Sequence, residues 1–260
     1  MLPELFFRRF RHAALAVTLL VTPVLTLTSA ARAATGAGEG GLGSAVLSEL
    51  NRVRTNPAAY AALLENLRHY YAADGTRSLP GEGRVRTREG VSALDGAIRA
   101  LHSTSPLPPL SASSGLAHAA FDHARDQARN GGFGHHGSDG SSPFMRMNRH
   151  GRWQSHAGEC IDYGAANARR IVMNLLIDDG VRDRGHRLNI LNRDFAVAGV
   201  SAASHPRFRH LCVIDFATAY VEADGRNAGD APVFAADTNG AGPSLVSPMI
   251  PRSTLRSGRF

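Results

Sequence analysis

The sequence predicts an α+β domain, with helices through most of the chain and strands that close it. Apolar residues recur at helical spacing from residue 46 to residue 67, and small apolar residues mark one helix face from 116 to 128. Residues 195–202 and 208–219 are rich in residues that favour β-structure. These three observations predict a domain that combines both kinds of element.

Two helices are expected at the start of the domain. Val46, Leu50 and Val53 lie about one helical turn apart, and Pro57 marks either a kink or the start of a second helix. Residues 72–89 are rich in Gly, Arg, Thr and Ser and hold few large apolar side chains, so they are expected to form an exposed loop.

A short and a long helix follow. The short one is expected at residues 91–101, after which prolines between 106 and 109 favour an extended approach. Serines between 111 and 114 offer N-caps for the long helix, and Asn130-Gly131-Gly132 ends it.

A polar, glycine-rich loop then covers residues 134–142, and such loops are a frequent location of function. After it, a short helix is expected at residues 143–147, a strand at 157–161, a helix at 166–177 and a loop at 178–185. The two closing strands are expected at 195–202 and 208–219.

The amino terminus has the pattern of an export signal. An arginine cluster precedes an apolar run over residues 13–28, and Ala31-Arg32-Ala33 forms a small-x-small cleavage site. We expect cleavage after Ala33 and a secreted protein, extracellular or periplasmic, with no membrane span in the mature chain. The alternative is an uncleaved anchor, against which Pro23 and the cleavage site weigh.

These features divide the chain into four parts. Residues 1–33 are the expected signal peptide, residues 34–43 a glycine-rich flexible spacer, and residues 44–222 the folded domain. Residues 223–260 lack hydrophobic periodicity and are expected to form a disordered tail.

The charge of the chain does not point to nucleic acid. All 29 basic residues are arginines, and removal of residues 1–33 lowers the net charge from +7 to +4, because four Arg and one Glu are lost. Arginines alternate with acidic residues, and no basic run is interspersed with aromatics. A mildly basic surface of this kind suits acidic polysaccharides or anionic lipids better.

The chain has two cysteines, Cys160 and Cys212. An even number in an exported chain favours a disulfide between them. The alternative is a pair of buried free thiols, because Cys212 lies in the apolar run Leu211-Cys212-Val213-Ile214.

Four short segments occur in a characteristic order, preceded by the Leu107-Pro108-Pro109-Leu110 stretch. They are Phe133-Gly134-His135-His136-Gly137-Ser138-Asp139-Gly140, Gly158-Glu159-Cys160, Gly185-His186-Arg187-Leu188-Asn189-Ile190-Leu191 and Cys212-Val213-Ile214-Asp215-Phe216-Ala217. In these segments the chain resembles the CAP superfamily of cysteine-rich secretory, antigen 5 and pathogenesis-related class 1 proteins, also called SCP-domain proteins. The resemblance extends from Leu47 to about Tyr220.

The resemblance implies a three-layer α-β-α sandwich with a central antiparallel sheet and a cleft that holds two histidines and acidic residues. On the matching motifs, these cleft residues are His136, Glu159 and His186, with His135 as the less favoured candidate for the first histidine. Cys160 replaces the usual Asn of the family, which makes a bond to Cys212 attractive.

The fourth cleft residue is not assigned, because neither Asp178 nor Asp179 aligns with the second Glu of the family. Six further histidines are expected on the surface, at positions 118, 123, 150, 156, 205 and 210.

Two imidazoles and a carboxylate suit a divalent metal such as Zn, with His136 and His186 as ligands. Their wide separation in the chain means that only the fold can bring them together. A histidine beside a carboxylate also suits a general base, or a purely structural pair with Glu159 as the partner of His186. No nucleophile elbow or protease metal motif is present in the sequence.

The sequence therefore favours a secreted binding module over an enzyme, and the resemblance implies a lipid, sterol, glycan or protein as its partner. The first alternative is a metal-assisted hydrolase of peptides or cell-envelope material, with Glu159 as ligand or base. The second is a structural protein of the envelope whose cleft only stabilises the fold.

Overall fold

The computed structural model describes residues 27–229, with side chains from Gly41 onward. The chain divides into two compact units, Met1–Gly36 and Ala37–Phe260, and the fold below is that of the second. Residues 1–26 of the predicted signal and residues 230–260 of the predicted tail lie outside the described part. Among the helices in that part, none combines the length and the apolar character needed to cross a membrane.

Helices and short strands make up the first half of the described chain, and the long strands lie in the second half. The helices are α1 (Leu27–Thr55), α2 (Pro57–Glu65), α3 (Val91–Ser103), α4 (Ser114–Asn130), α5 (Pro143–Met147), α6 (Ala168–Ile177) and α7 (Gly185–Ile190), with a 3₁₀ turn at Arg68–Tyr70. The strands are β1 (Thr76–Arg77), β2 (Val85–Arg86), β3 (Ser111–Ala112), β4 (Gly151–Tyr163), β5 (Val197–His205) and β6 (Arg209–Glu222).

The central sheet has four strands in the order β3-β5-β6-β4. The pairs β4/β6 and β5/β6 are antiparallel, as expected. The edge strand β3 is an exception to the antiparallel expectation, because it pairs parallel with β5 over two residues. This geometry follows from the extended proline segment, which leads along β5 directly into α4.

Alternation along β6 builds the three layers. Cys212, Ile214 and Phe216 pack into the main apolar cluster with helices α1, α2, α3 and α6 on one face. On the other face, Val213 and Ala217 lie against small residues of α4 in two further clusters. The α-β-α sandwich is therefore confirmed.

Helix α4 packs very closely on the sheet. A Cβ added at Gly199 of β5 would come within 2.0 Å of the Ala117 nitrogen, so only glycine fits there. The start of α4 is fixed by the carboxylate of Glu222, which accepts hydrogen bonds from the Ser113 hydroxyl (2.8 Å) and from the Gly115 amide (2.7 Å).

Three of the predicted boundaries differ from the structure. The segment expected as a flexible spacer, residues 34–43, is helical as part of α1, where an established helix propagates through its glycines. Strand β4 is longer than the predicted 157–161. The start of the expected tail is ordered, because the Ala228 amide donates to the Tyr220 carbonyl at 2.8 Å.

The predicted disulfide between Cys160 and Cys212 is not formed, and both are buried free thiols. They lie on the same face of neighbouring strands, but Cys160 faces Ile214 and Cys212 faces Asp162. Such diagonal neighbours are about 7–8 Å apart between Cα atoms, beyond the usual reach of a disulfide. Burial raises the pKa of both thiols, so neither is a reactive thiolate.

Arg54 of α1 ties the helical layer to two segments of the chain, one before β3 and one before β5. Its guanidinium is fully buried and donates to the carbonyls of Pro108 (3.0 Å), Ile190 (3.0 Å), Asn192 (2.7 Å) and Phe195 (2.8 Å). Burial lowers the pKa of Arg54 to about 10, so the group stays charged at neutral pH. It therefore fixes the segments that enter β3 and β5.

Replacement of this arginine tests its role. Arg54→Met is expected to lower the free energy of unfolding by about 3–5 kcal/mol, because two buried and two partly buried carbonyls lose a donor. Arg52→Met on the same helix is the control, with an expected change within about 0.5 kcal/mol, because the Arg52 side chain is 50% exposed. Urea unfolding measures both, and equal effects would contradict the assignment.

Candidate functional site

A buried carboxylate in the middle of β4 forms the base of the candidate cleft. Glu159 lies on the sheet face that α4 covers, and its side chain is 1% exposed. One carboxylate oxygen is 2.7 Å from Nδ1 of His135, and the other accepts from Nη2 of Arg146 at 2.6 Å. The glutamate thus joins a cleft histidine to a buried arginine.

Helix α5 positions this arginine. Ser142 caps the helix through the Met145 amide, and Pro143 at its first turn presets the helical backbone. Nη1 of Arg146 donates to the carbonyls of His135 (3.1 Å) and Ser141 (3.0 Å). The same side chain therefore fixes both ends of the loop that carries the histidine.

The second histidine is held by a different carboxylate. Asp178 ends α6 in the left-handed conformation, with φ 56° and ψ 44°. One oxygen is 2.7 Å from Nδ1 of His186, and the other accepts from the amides of His186 (3.1 Å) and Arg187 (3.2 Å). Arg187 in turn donates to the α6 carbonyls of Leu176 (2.6 Å) and Ile177 (2.8 Å). Helices α6 and α7 are clamped together at this point.

The two rings face a common cleft. The ring centroids of His135 and His186 are 6.5 Å apart, and their side chains are 44% and 22% exposed. Each ring directs Nδ1 to a carboxylate, so in the neutral form Nδ1 carries the hydrogen and Nε2 is an acceptor. No residue in the described range pairs either Nε2 atom. The cleft therefore offers two unpaired acceptors.

Asn189 connects the two halves of the cleft. Its amide nitrogen donates to the carbonyl of Glu159 at 3.3 Å. A Cβ added at Gly158 would lie 3.0 Å from the Asn189 side chain, so the glycine allows this close approach. This contact explains why the Gly-Glu and His-Arg-x-Asn segments occur together.

A second carboxylate lies directly across the sheet from the first. Asp215 of β6 pairs with Glu159 in register, is fully buried, and has no hydrogen-bond partner for its oxygens in residues 41–229. Burial and the nearby Glu159 charge raise the pKa of Asp215 well above its usual range, which favours the neutral acid. Although burial opposes ionisation of Glu159, the His135 hydrogen bond and the Arg146 charge hold its pKa below the usual value.

The sequence-predicted site residues are only partly brought together. Glu159 and His186 lie in the cleft, but the first histidine is His135, while His136 is exposed and makes no described contact. The partner of His186 is Asp178, which the sequence left unassigned, and not Glu159. Adjacent histidines in a turn point to opposite sides, which motif spacing alone does not resolve.

Two histidines expected on the surface are buried. His123 of α4 lies 2.8 Å from the carbonyl of Gly134, and His205 lies 2.8 Å from the carbonyl of Gly132, both through Nε2. Position 123 continues the small apolar face of α4 at helical spacing, so the sequence pattern could have predicted that His123 is buried.

The donor set does not fit a resident catalytic zinc. Catalytic zinc sites have three protein ligands, whereas no group of three or more His, Cys, Asp or Glu side chains suited to a metal occurs in the described residues. The carboxylates of Glu159 and Asp178 are hydrogen-bonded to the Nδ1 atoms of the two cleft histidines. The Nε2 atoms of His135 and His186 are therefore the cleft atoms left to bind a metal. A metal would need half of its ligands from elsewhere.

Comparisons with known proteins agree with the fold. Residues 47–216 match the model of the cysteine-rich secretory protein (CAP) family. A comparison with curated proteins gave no match.

Similar solved structures include an outer surface protein of Borrelia burgdorferi, with 19% identity, a TM-score of 0.37, and coverage of 43% of this chain and 78% of that one. An extracellular SCP-domain protein of Bacillus anthracis has 25% identity and a TM-score of 0.36, and the match covers 48% of this chain and 37% of that one. A cysteine-rich secretory protein of Staphylococcus aureus has 16% identity, a TM-score of 0.32, and coverage of 53% and 42%. The match thus spans less than half of the last two proteins.

The two facing carboxylates give a matched pair of variants. Glu159→Gln is expected to lower the free energy of unfolding by about 3 kcal/mol at pH 7, because the buried Arg146 loses its counter-charge. Asp215→Asn makes the same chemical change on an acid whose raised pKa favours the neutral form, and it is expected to stay within about 1 kcal/mol. Urea unfolding of both variants is the measurement, and a larger loss for Asp215→Asn would contradict the charge assignment.

Proposed function

Because the chain belongs to the cysteine-rich secretory protein (CAP) family, we propose that it is an exported binding protein whose ligand is held at the cleft of His135 and His186. The observation that carries this proposal is the fixed orientation of the two imidazoles. Each has its Nδ1 atom bonded to a buried carboxylate and its Nε2 atom unpaired at the surface. The cleft therefore suits a ligand that presents hydrogen-bond donors.

Hydroxyl and amine groups are the donors that two neutral imidazoles accept. A sterol or other hydroxylated lipid, a glycan, and a protein partner each present such groups. The expected export signal at residues 1–33 supports a location outside the cytoplasm, extracellular or periplasmic.

A hydrolase is the less favoured alternative, because the carboxylates and thiols that it could use are engaged or buried. Glu159 is bonded to His135 and Arg146, and Asp178 accepts from His186 and two amides, so neither carboxylate is free to activate water. Both cysteines are buried with a raised pKa, which removes a thiolate nucleophile. These engagements support ligand binding over turnover.

The test compares three proteins: wild type, His135→Ala/His186→Ala, and the control His136→Ala. The probes are phosphatidylcholine vesicles with and without cholesterol, and an oligosaccharide array. We expect a probe that binds the wild type and the control equally and binds the double variant at least about tenfold more weakly, since both acceptors are lost.

Two results would contradict the proposal. The first is binding that the double variant retains in full, which would place the ligand elsewhere. The second is zinc-dependent cleavage of casein or peptidoglycan by the wild type that the double variant loses, which would establish the hydrolase.

A further inference from the structure

A separate pocket of about 370 Å³ lies between α4 and the segment that runs from the glycine-rich loop to the end of α5. We propose that this pocket is a second binding site, and that it takes a neutral, polyhydroxylated ligand such as a saccharide. Its volume is in the range of small-molecule sites. None of His135, Asp178 and His186 lines it. The pocket shares Arg146 with the Glu159 network, but neither cleft histidine belongs to its lining.

Two buried side chains in the pocket wall each keep one polar nitrogen without a partner. His123 is fully buried and Arg146 is 1% exposed. Nε2 of His123 lies 2.8 Å from both the Gly134 carbonyl oxygen and the Gln127 amide nitrogen, which leaves Nδ1 as the unpaired nitrogen of the ring. Both Nη atoms of Arg146 are engaged, whereas its Nε–H is not. Among residues 41–229, nothing pairs His123 Nδ1 or Arg146 Nε.

A hydroxyl group can satisfy unpaired nitrogens of this kind, because it donates one hydrogen bond and accepts others. Burial lowers the pKa of His123, which keeps its ring neutral. Buried polar groups of this kind are normally paired, so their presence in a pocket wall points to a ligand that completes them.

The charges around the pocket exclude a strongly charged ligand. Three carboxylates line it, from Asp122, Asp126 and Asp139, and three arginines line its rim, Arg125, Arg129 and Arg149. An anion would meet the carboxylates and a cation would meet the guanidiniums, and each contact costs free energy. A neutral ligand with several hydroxyls uses both sets as hydrogen-bond partners.

The pocket wall is ordered before any ligand binds. The Gly137 amide donates to the Ser141 carbonyl at 2.9 Å, and the Ser138 amide donates to Asp126 at 2.8 Å. These bonds fix the loop onto α4. A wall held in this way loses little conformational entropy on binding.

Arg129→Ala is the variant that tests the pocket most directly. It is an exposed residue near the end of α4, and it has no ion pair with any residue described in the structure, so its replacement by Ala leaves the fold intact. Arg99 is an exposed arginine on α3 that does not line the pocket, and Arg99→Ala is the matched control.

The experiment is calorimetric titration of the full chain with triacetylchitotriose, cellotriose and maltotriose, each up to about 10 mM. We expect at least one trisaccharide to bind the wild type and Arg99→Ala equally, and Arg129→Ala about tenfold more weakly, because a charged hydrogen bond is lost. His135→Ala/His186→Ala is expected to bind it like the wild type, which separates this site from the cleft.

Three outcomes would overturn the inference. The first is no binding of any of the three sugars to the wild type. The second is sugar binding that Arg129→Ala retains in full. The third is inorganic phosphate that binds the wild type and competes with the sugar, which would make the pocket an anion site.

Discussion

Burial of the Glu159 carboxylate in a central strand is the constraint on which the site depends. A charge in that position is tolerated only with an opposite charge and several hydrogen bonds. Arg146 and His135 provide these at 2.6 and 2.7 Å, which requires α5 to lie against β4 and the glycine-rich loop to fold back over it. Burial and the same charge raise the pKa of the facing Asp215. One side chain thus determines the position of a helix, a loop and a cleft histidine.

The other half of the cleft is built separately but on the same principle. Asp178 receives the His186 ring and two amides, and its position depends on the left-handed end of α6. Asn189 then joins α7 to β4 beside Gly158. Because each imidazole is oriented by its own carboxylate, the pair presents two acceptors without help from a metal. This arrangement suits recognition of a ligand more than activation of water.

The order of the motifs was sufficient to predict the layers, and it placed Glu159 and His186 among the candidate site residues. It was not sufficient to choose between His135 and His136, because neighbouring residues of a turn point in different directions. The role of Asp178 depends on a backbone conformation that the sequence does not reveal. The disulfide prediction was wrong because it assumed that two cysteines on neighbouring strands lie within bonding distance. The register of the strands offsets Cys160 from Cys212 by two positions. The burial of His123 was visible in the helical pattern.

The orientation of the two cleft rings is the central claim, and long-range ¹H–¹⁵N correlation spectra of the histidine side chains test it directly. The account predicts that His135 and His186 carry the hydrogen on Nδ1 and leave Nε2 bare, while His136, which has no described partner, serves as the internal reference. Spectra in which either cleft ring carries its hydrogen on Nε2 alone would contradict it, because the carboxylates would then not orient the rings.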